Sequence, residues 1–196
     1  VEFFFDCSSP WTYLAFHRIE EVAASAQLEW RPFLVGGVFN TVNPTVYAQR
    51  ASPTPTKLRY YGKDLADWAR SYGLRIEMPS VFPVNSVAAM RACFVALEHD
   101  RLPVFARAVF EAYWGRDEDI SQADVLARIC ESVDLDAGEV AEKIASPAYK
   151  QKLRDNTDEL IERGGFGTPT IFVDGDDMYF GNDRLVLVQE ALRGSS

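Results

Sequence analysis

The sequence predicts an α/β fold in two discontinuous halves, with an all-helical segment inserted between them. Three observations carry this expectation. The chain opens as strand, helix, strand. It closes as strand, hairpin, strand, helix. Between them, roughly a hundred residues show helical periodicity. The boundaries fall at 1–40 and 157–196 for the discontinuous α/β domain and at 41–156 for the inserted loop and helices.

Phe3-Phe4-Phe5 is an apolar run too short and too aromatic for a helix, and it stops at Asp6, so it reads as a buried strand. Cys7-Ser8 is a short link. Ser9 is a good N-cap, and Pro10 fits the first helical position, where a missing N–H costs nothing. Leu14, Ile19 and Val22 then form a helical stripe. A strand thus feeds a helix N-terminus with a hydroxyl at the junction. Free N–H groups and the positive end of the helix dipole favour an anion there, a thiolate among the candidates.

Leu28 to Leu34 alternates like a strand, Pro32 places it at an edge or bulge, and Gly36-Gly37 ends it. Val38 to Thr56, rich in Pro, Thr and Asn, reads as a long loop of the kind that is often functional. Leu65, Trp68 and Tyr72 mark a helix closed by Gly73, and a Pro-broken connection runs from Met78 to Asn85. Val87, Met90, Phe94 and Leu97 mark a second helix, ending near His99. Phe105, Val109 and Ala112 mark a third, ending at Gly115. Ser121 caps a fourth, Asp136 with Glu139 forms a capping box for a fifth, and Ser146-Pro147 opens a sixth that runs to Gly164-Gly165. Thr170 to Val173 is a short buried strand, Asp174 to Asp177 has hairpin chemistry, and Met178 to Phe180 returns. Gly181-Asn182-Asp183 precedes a last helix carrying Leu185, Val188 and Leu192, and Gly194-Ser195-Ser196 reads as a disordered end.

The composition excludes some classes of function. A net charge of −9 argues against a nucleic-acid surface, which needs a basic patch. No apolar run spans a bilayer and no secretory signal is visible. Cys7, Cys93 and Cys130 are odd in number and widely spaced, which suits free thiols in a reducing cytosol. Two distant histidines give no metal-binding cluster. Neither His17 nor His99 is placed to serve Ser9 as a base, which argues for Ser9 as a hydrogen-bond donor rather than a nucleophile. Cys7 reads as a buried structural thiol. Read alone, Lys57 is a solvated helix-start lysine, Asn85 an N-cap, Asn182 or Asp183 the cap of the last helix, and Gly167-Thr168-Pro169 a turn before a strand.

Ser9-Pro10-Trp11-Thr12, the Lys57 segment, Trp114 to Ile120, Ile144 to Leu153, Gly165 to Thr170 and Phe180 to Arg184 together resemble the thioredoxin superfamily. Within it, the chain is most similar to the DsbA-like branch that holds kappa-class glutathione transferases and 2-hydroxychromene-2-carboxylate isomerases. The superfamily junction carries Cys-x-x-Cys. Here Ser9 and Thr12 stand in those positions, which argues against dithiol–disulfide exchange.

The resemblance implies a thioredoxin-like fold with a helical insertion, a cytoplasmic homodimer, and glutathione as cofactor. It implies Ser9 as the catalytic residue, donating to the glutathione sulfur. It implies Lys57 at the glycine carboxylate, and Asn182 with Asp183 at the γ-glutamyl end. It implies a cis Pro169 that turns Thr168 toward the ligand. Asn43 is a further cofactor contact. It implies Trp11 and Asn85 at a pocket for a small aromatic substrate, and for the substrate carboxylate it offers Tyr47, Arg59 and Arg91, among which the sequence does not choose. The activity implied is interconversion of 2-hydroxychromene-2-carboxylate with trans-o-hydroxybenzylidenepyruvate by reversible thiolate addition. The alternatives are a kappa-class transferase or peroxidase, a DsbA-like oxidoreductase, and a glutathione-binding module without chemistry.

Overall fold

Strand β1 (Glu2–Phe5) lies at the centre of the molecule, with Phe3, Phe4 and Phe5 all fully buried. The computed structural model describes residues 1–194. Ser195 and Ser196 lie outside the described residues, and Gly194 closes a helix instead of beginning a disordered end. After β1 come α1 (Pro10–Val22), β2 (Glu29–Pro32), α2 (Val35–Thr41), α3 (Thr45–Ala51) and α4 (Pro55–Tyr72). The helical segment continues with α5 (Val87–Glu98), α6 (Leu102–Phe110), a π-helical turn at Glu111–Gly115, α7 (Ala123–Ser132), α8 (Ala137–Ala145) and α9 (Pro147–Glu162). The chain ends with β3 (Thr170–Val173), β4 (Asp177–Phe180), a 3₁₀ turn at Asn182–Arg184, and α10 (Leu185–Gly194).

The sheet order is β2-β1-β3-β4, with β1 parallel to β2 and the other pairs antiparallel. Pro32 sits on edge strand β2, where its missing N–H removes no central ladder bond. A strand buried on both faces reads as a continuous apolar run rather than an alternation, and β1 shows why. Phe3 and Phe5 face the large cluster that includes Phe16 of α1, Phe110 of α6 and Val188 of α10. Phe4 faces a second cluster with Phe33, Val38, Leu160 and Phe172. Each buried Phe contributes about 1.5–3 kcal/mol from water exclusion. The sheet and most of the helical segment share the first cluster.

Several expectations need correction. The stretch from Val38 to Thr56 is largely helical, and Gly36-Gly37 lies inside α2 instead of ending the strand. Tertiary contacts override composition there. Val35 N donates to Asp6 Oδ2 at 2.9 Å and starts the helix, and a Cβ on Gly37 would stand 2.9 Å from the Thr157 methyl of α9. Gly37 therefore permits the close approach of α2 to α9. Helix α6 stops at Phe110 and widens into the π turn. Gln122, not Ser121, is the N-cap of α7, because the Ser121 hydroxyl donates to Asp119 at 2.6 Å. Only half of the capping box forms at α8. Asp136 accepts from Glu139 N at 2.7 Å, while the Glu139 carboxylate turns to Lys143 and His99.

Candidate active site

The junction of β1 and α1 forms as the residues demand. Ser9 is an extended N-cap whose Oγ accepts from Thr12 N at 3.3 Å. Because it caps as an acceptor, its own proton stays available to a ligand. No acidic residue occupies the first turn of α1, so the positive helix end is not neutralised from within the helix. Thr12 is fully buried, and its hydroxyl shares a 2.8 Å hydrogen bond with the Thr168 hydroxyl, which also accepts from Asp6 N at 3.2 Å. The Thr168–Pro169 peptide bond is cis. The second thiol position of the superfamily is thus a hydroxyl turned inward, joining α1 to the loop before β3.

Sequence reading missed the group beneath this junction. Asp6 is fully buried, and both its oxygens are occupied: Oδ1 accepts from Ser8 N and Oδ2 from Val35 N, each at 2.9 Å. Burial pushes its carboxyl up from the ordinary range, opposed by those N–H groups and by the Ser86 hydroxyl. The link is clamped from the helical side as well. Trp114 Nε1 donates to the Cys7 carbonyl at 3.0 Å, and Cys7 N approaches Met90 Sδ at 3.3 Å. Trp114 lies in the π turn, a local irregularity of the kind often found at functional sites. The only sequence sign of Asp6 was that it ended a Phe run.

Beside the junction is an open cleft of about 370 Å³, lined by Trp11, Thr168 and the Phe180–Arg184 segment, with Asp64 and Trp68 of α4 opposite. Asn182 is 4% exposed, and its Nδ2 has no hydrogen-bond partner among the described residues. A buried amide donor left unpaired costs about 1–3 kcal/mol, and here that cost falls on the turn that forms one wall of the cleft. Neither Asn182 nor Asp183 caps the last helix by its side chain; Gly181, at φ 97°, leads the 3₁₀ turn, and Asp183 pairs with Arg184 at 2.5 Å.

The other expected site residues are more dispersed. Lys57 is exposed in the first turn of α4, on the face that carries Asp64 and Trp68 seven and eleven residues later. That spacing could have revealed the α4 wall, but Trp68 reads as core when only apolar periodicity is followed. Asn43 donates from Nδ2 to the Phe166 carbonyl at 3.2 Å, tethering the α2–α3 link to the loop before Pro169. Asn85 Oδ1 accepts from Val87 N at 3.1 Å at the start of α5, and Asn85 is not among the residues lining the cleft. Arg91 donates to the Ile144 carbonyl, and the Tyr47 hydroxyl points to the Gly36 carbonyl. His17 lies against the Tyr72 ring and His99 against Glu139.

A strand–helix junction carrying Ser-Pro, a facing cis-proline loop and a β2-β1-β3-β4 sheet define a thioredoxin-like protein without the reactive cysteine pair. The chain belongs to the DSBA-like thioredoxin domain family, whose sequence model matches residues 1–193. It is 29% identical over 201 residues to a 2-hydroxychromene-2-carboxylate isomerase of Pseudomonas sp. (strain C18), covering 100% of this chain and 91% of that one. It is 29% identical to human glutathione S-transferase kappa 1, over 98% of this chain and 90% of that protein. A solved 2-hydroxychromene-2-carboxylate isomerase structure superposes with a TM-score of 0.83 at 26% identity, covering 99% and 94% of the two chains.

Disulfide exchange is expected to be absent. Cys7, Cys93 and Cys130 are all buried free thiols, and burial pushes the Cys7 thiol well up and that of Cys130 to about 11. An insulin-reduction assay should therefore show no turnover above background. Robust turnover lost on Cys7→Ser would contradict this assignment.

Proposed function

We propose that this chain is a glutathione-dependent isomerase of the 2-hydroxychromene-2-carboxylate type, interconverting it with trans-o-hydroxybenzylidenepyruvate. The observation that carries the reading is the cleft that adjoins the Ser9 junction, with Trp11 and Thr168 on one side and the Gly181–Asp183 turn on the other. The residues present fit a γ-glutamyl thiol. The turn at Asn182 and Asp183 offers backbone N–H groups for the γ-glutamyl carboxylate, and the Asp183 side chain an acceptor for its ammonium group. Lys57, at the far end of the α4 face, suits the glycine carboxylate, and Asn43 holds the Phe166–Pro169 loop against which the peptide would lie. When bound, glutathione supplies a thiolate that adds reversibly to a conjugated alkene and lets the bond rotate.

The chain's own residues set the conditions for that chemistry. Ser9 donates a hydrogen bond at the sulfur position and the α1 N-terminus adds a favourable field. Thr12 and Thr168, bonded to each other, hold the geometry of the pocket floor. Trp11 supplies an apolar wall that limits water. No protein base is required, because the thiol is used in its ionised form.

The test has two arms. Titration calorimetry should show glutathione binding, and Asp183→Ala should weaken it by about tenfold or more, the worth of one hydrogen bond to a charged group. An ultraviolet assay should show chromene–pyruvate interconversion that stops when glutathione is omitted. Binding without interconversion, but with thiol transfer to an electrophile, would favour the kappa-class reading, which the likeness to human glutathione S-transferase kappa 1 supports. A homodimer belongs to the same reading: Leu58, Tyr60 and Tyr61 of α4 are 56%, 62% and 57% exposed, an apolar surface suited to a second copy. Sedimentation at micromolar concentration should show the dimer, and a monomer alone would refute it.

A further inference from the structure

We infer that Arg50 is the anchor for the carboxylate of a planar aromatic acid, held in an aromatic frame joined to the Ser9 junction. The inference rests on the reading of the site as one for a small aromatic substrate. The Arg50 guanidinium of α3 lies 5.3 Å from the ring centre of Phe39 and 5.5 Å from that of Phe82. Stacking on two rings restricts a side chain that would otherwise sample many rotamers, and it leaves the in-plane N–H fork free. Arg31, Arg116, Arg128 and Arg163 each meet a carboxylate. Arg50 meets none within ion-pair distance among the described residues, in a chain where 29 acids outnumber 20 basic residues. Arg59, Arg91, Arg101 and Arg154 likewise meet no carboxylate among the described residues, but of these Arg50 alone lies over aromatic rings, two of them. A single guanidinium suits a monocarboxylate, which it can meet with two parallel N–H···O bonds.

The frame specifies the rest of the ligand. Tyr47 stands edge-on to Phe39 at 6.2 Å, and Phe82 edge-on to Trp114 at 6.2 Å. Tyr47 and Phe82 remain 41% and 40% exposed, so the aromatic wall is not covered by the protein itself. A flat apolar ring carrying a carboxylate would cover it. The frame is also fixed to the junction. Phe39 lies on α2, whose Val35 N–H is bonded to Asp6, and Trp114 is bonded to the Cys7 carbonyl. Asn43 ties the α2–α3 link to Phe166, three residues before Pro169. An acid anchored at Arg50 is therefore held by segments bonded to the Asp6–Cys7 link just before Ser9 and to the loop before Pro169, although Arg50 was not among the cations singled out from sequence.

The experiment is titration calorimetry of 2-naphthoate and of its neutral analogue 2-naphthalenemethanol against wild type, Arg50→Gln and Arg50→Lys. Each is run with and without saturating glutathione. Wild type is expected to bind the acid at least tenfold more tightly than the alcohol. Arg50→Gln should abolish that preference while leaving the alcohol unchanged. Arg50→Lys should keep part of it, because the ammonium retains charge but not the planar fork. Equal melting temperatures establish that the variants are folded. Unchanged naphthoate affinity in both variants, or no naphthoate binding by wild type in either condition, would overturn the inference. The two readings fail separately. If glutathione does not bind but Arg50-dependent naphthoate binding persists, the anchor stands and the glutathione reading falls. If glutathione binds and naphthoate binding is independent of Arg50, the anchor falls alone.

Discussion

In Ser9→Ala, the thiolate absorbance of glutathione-loaded protein at neutral pH and the isomerase turnover should fall together, while glutathione affinity at neutral pH falls several-fold and is little changed at acid pH, where the bound thiol is neutral in both. The hydroxyl proton of Ser9 is not used by the fold, since its oxygen caps α1 by accepting from Thr12 N. A hydrogen bond to a charged acceptor is worth about 1.5–3 kcal/mol. The helix end, with no acid in its first turn, adds about 0.3–1 kcal/mol or more where partly buried. At about 1.4 kcal/mol per unit, the two lower a thiol pKa near 8.5 by on the order of one to three units. The alanine variant loses the first contribution and keeps the second, so its thiol should titrate about one to two units higher than in wild type. The cap is lost as well. At 3.3 Å that bond is long, so its loss costs near the low end of the range of about 0.5–2 kcal/mol. Superimposable pH titrations of the bound thiol with unchanged turnover would leave Ser9 as a helix cap alone and place the chemistry elsewhere.

Asp6→Asn should be the more damaging change to the fold. Both carboxylate oxygens accept from backbone N–H groups at 2.9 Å. Whichever way an amide is turned, its NH₂ faces one of those donors and leaves it unpaired. The loss is about 1–3 kcal/mol for a buried donor left unpaired. In a protein of this size each kcal/mol moves the melting temperature by about 2–4 °C. The pH dependence has a definite sign. Burial raises the Asp6 carboxyl in the folded state, so the native protein holds this proton more tightly than the unfolded chain. Stability from this group is therefore fully present below the unfolded value near 3.9 and is lost as pH rises through the folded value. The difference in stability between wild type and Asp6→Asn should accordingly be larger near about pH 4 than near pH 8, as read by urea unfolding at each pH. A difference that grows with pH would show that the N–H bonds outweigh burial and that Asp6 is an ordinary low-pKa carboxylate. Because Asp6 fixes both Ser8 and the start of α2, turnover should fall in the variant even where it is folded.

Much of the molecule was legible in the sequence because it depends on local chemistry. Phe3 to Phe5 had to be buried on both faces, Ser9-Pro10 had to start a helix, Asp136 had to cap one, and the Asp174–Asp177 turn had to join two strands. The family resemblance rested on such short motifs, and the match over residues 1–193 agrees with it. The helices α2 and α3 were not legible. Their composition is that of a loop, and α2 starts where a distant Asp6 accepts its first N–H and docks on α9 where Gly37 leaves room for the Thr157 methyl. The cleft was half visible. Trp11, Thr168, Asn182 and Asp183 come from motifs, whereas Asp64 and Trp68 arrive from a helix whose docking no local pattern states. Sequence by itself determined which residues begin and end most elements and which hydroxyl replaces a thiol. Only the tertiary structure decided that a carboxylate would be buried beneath that hydroxyl and that an amide beside it would be left without a partner. Burial and unsatisfied hydrogen bonds are properties of chain segments brought together from far apart, and no window of sequence contains them.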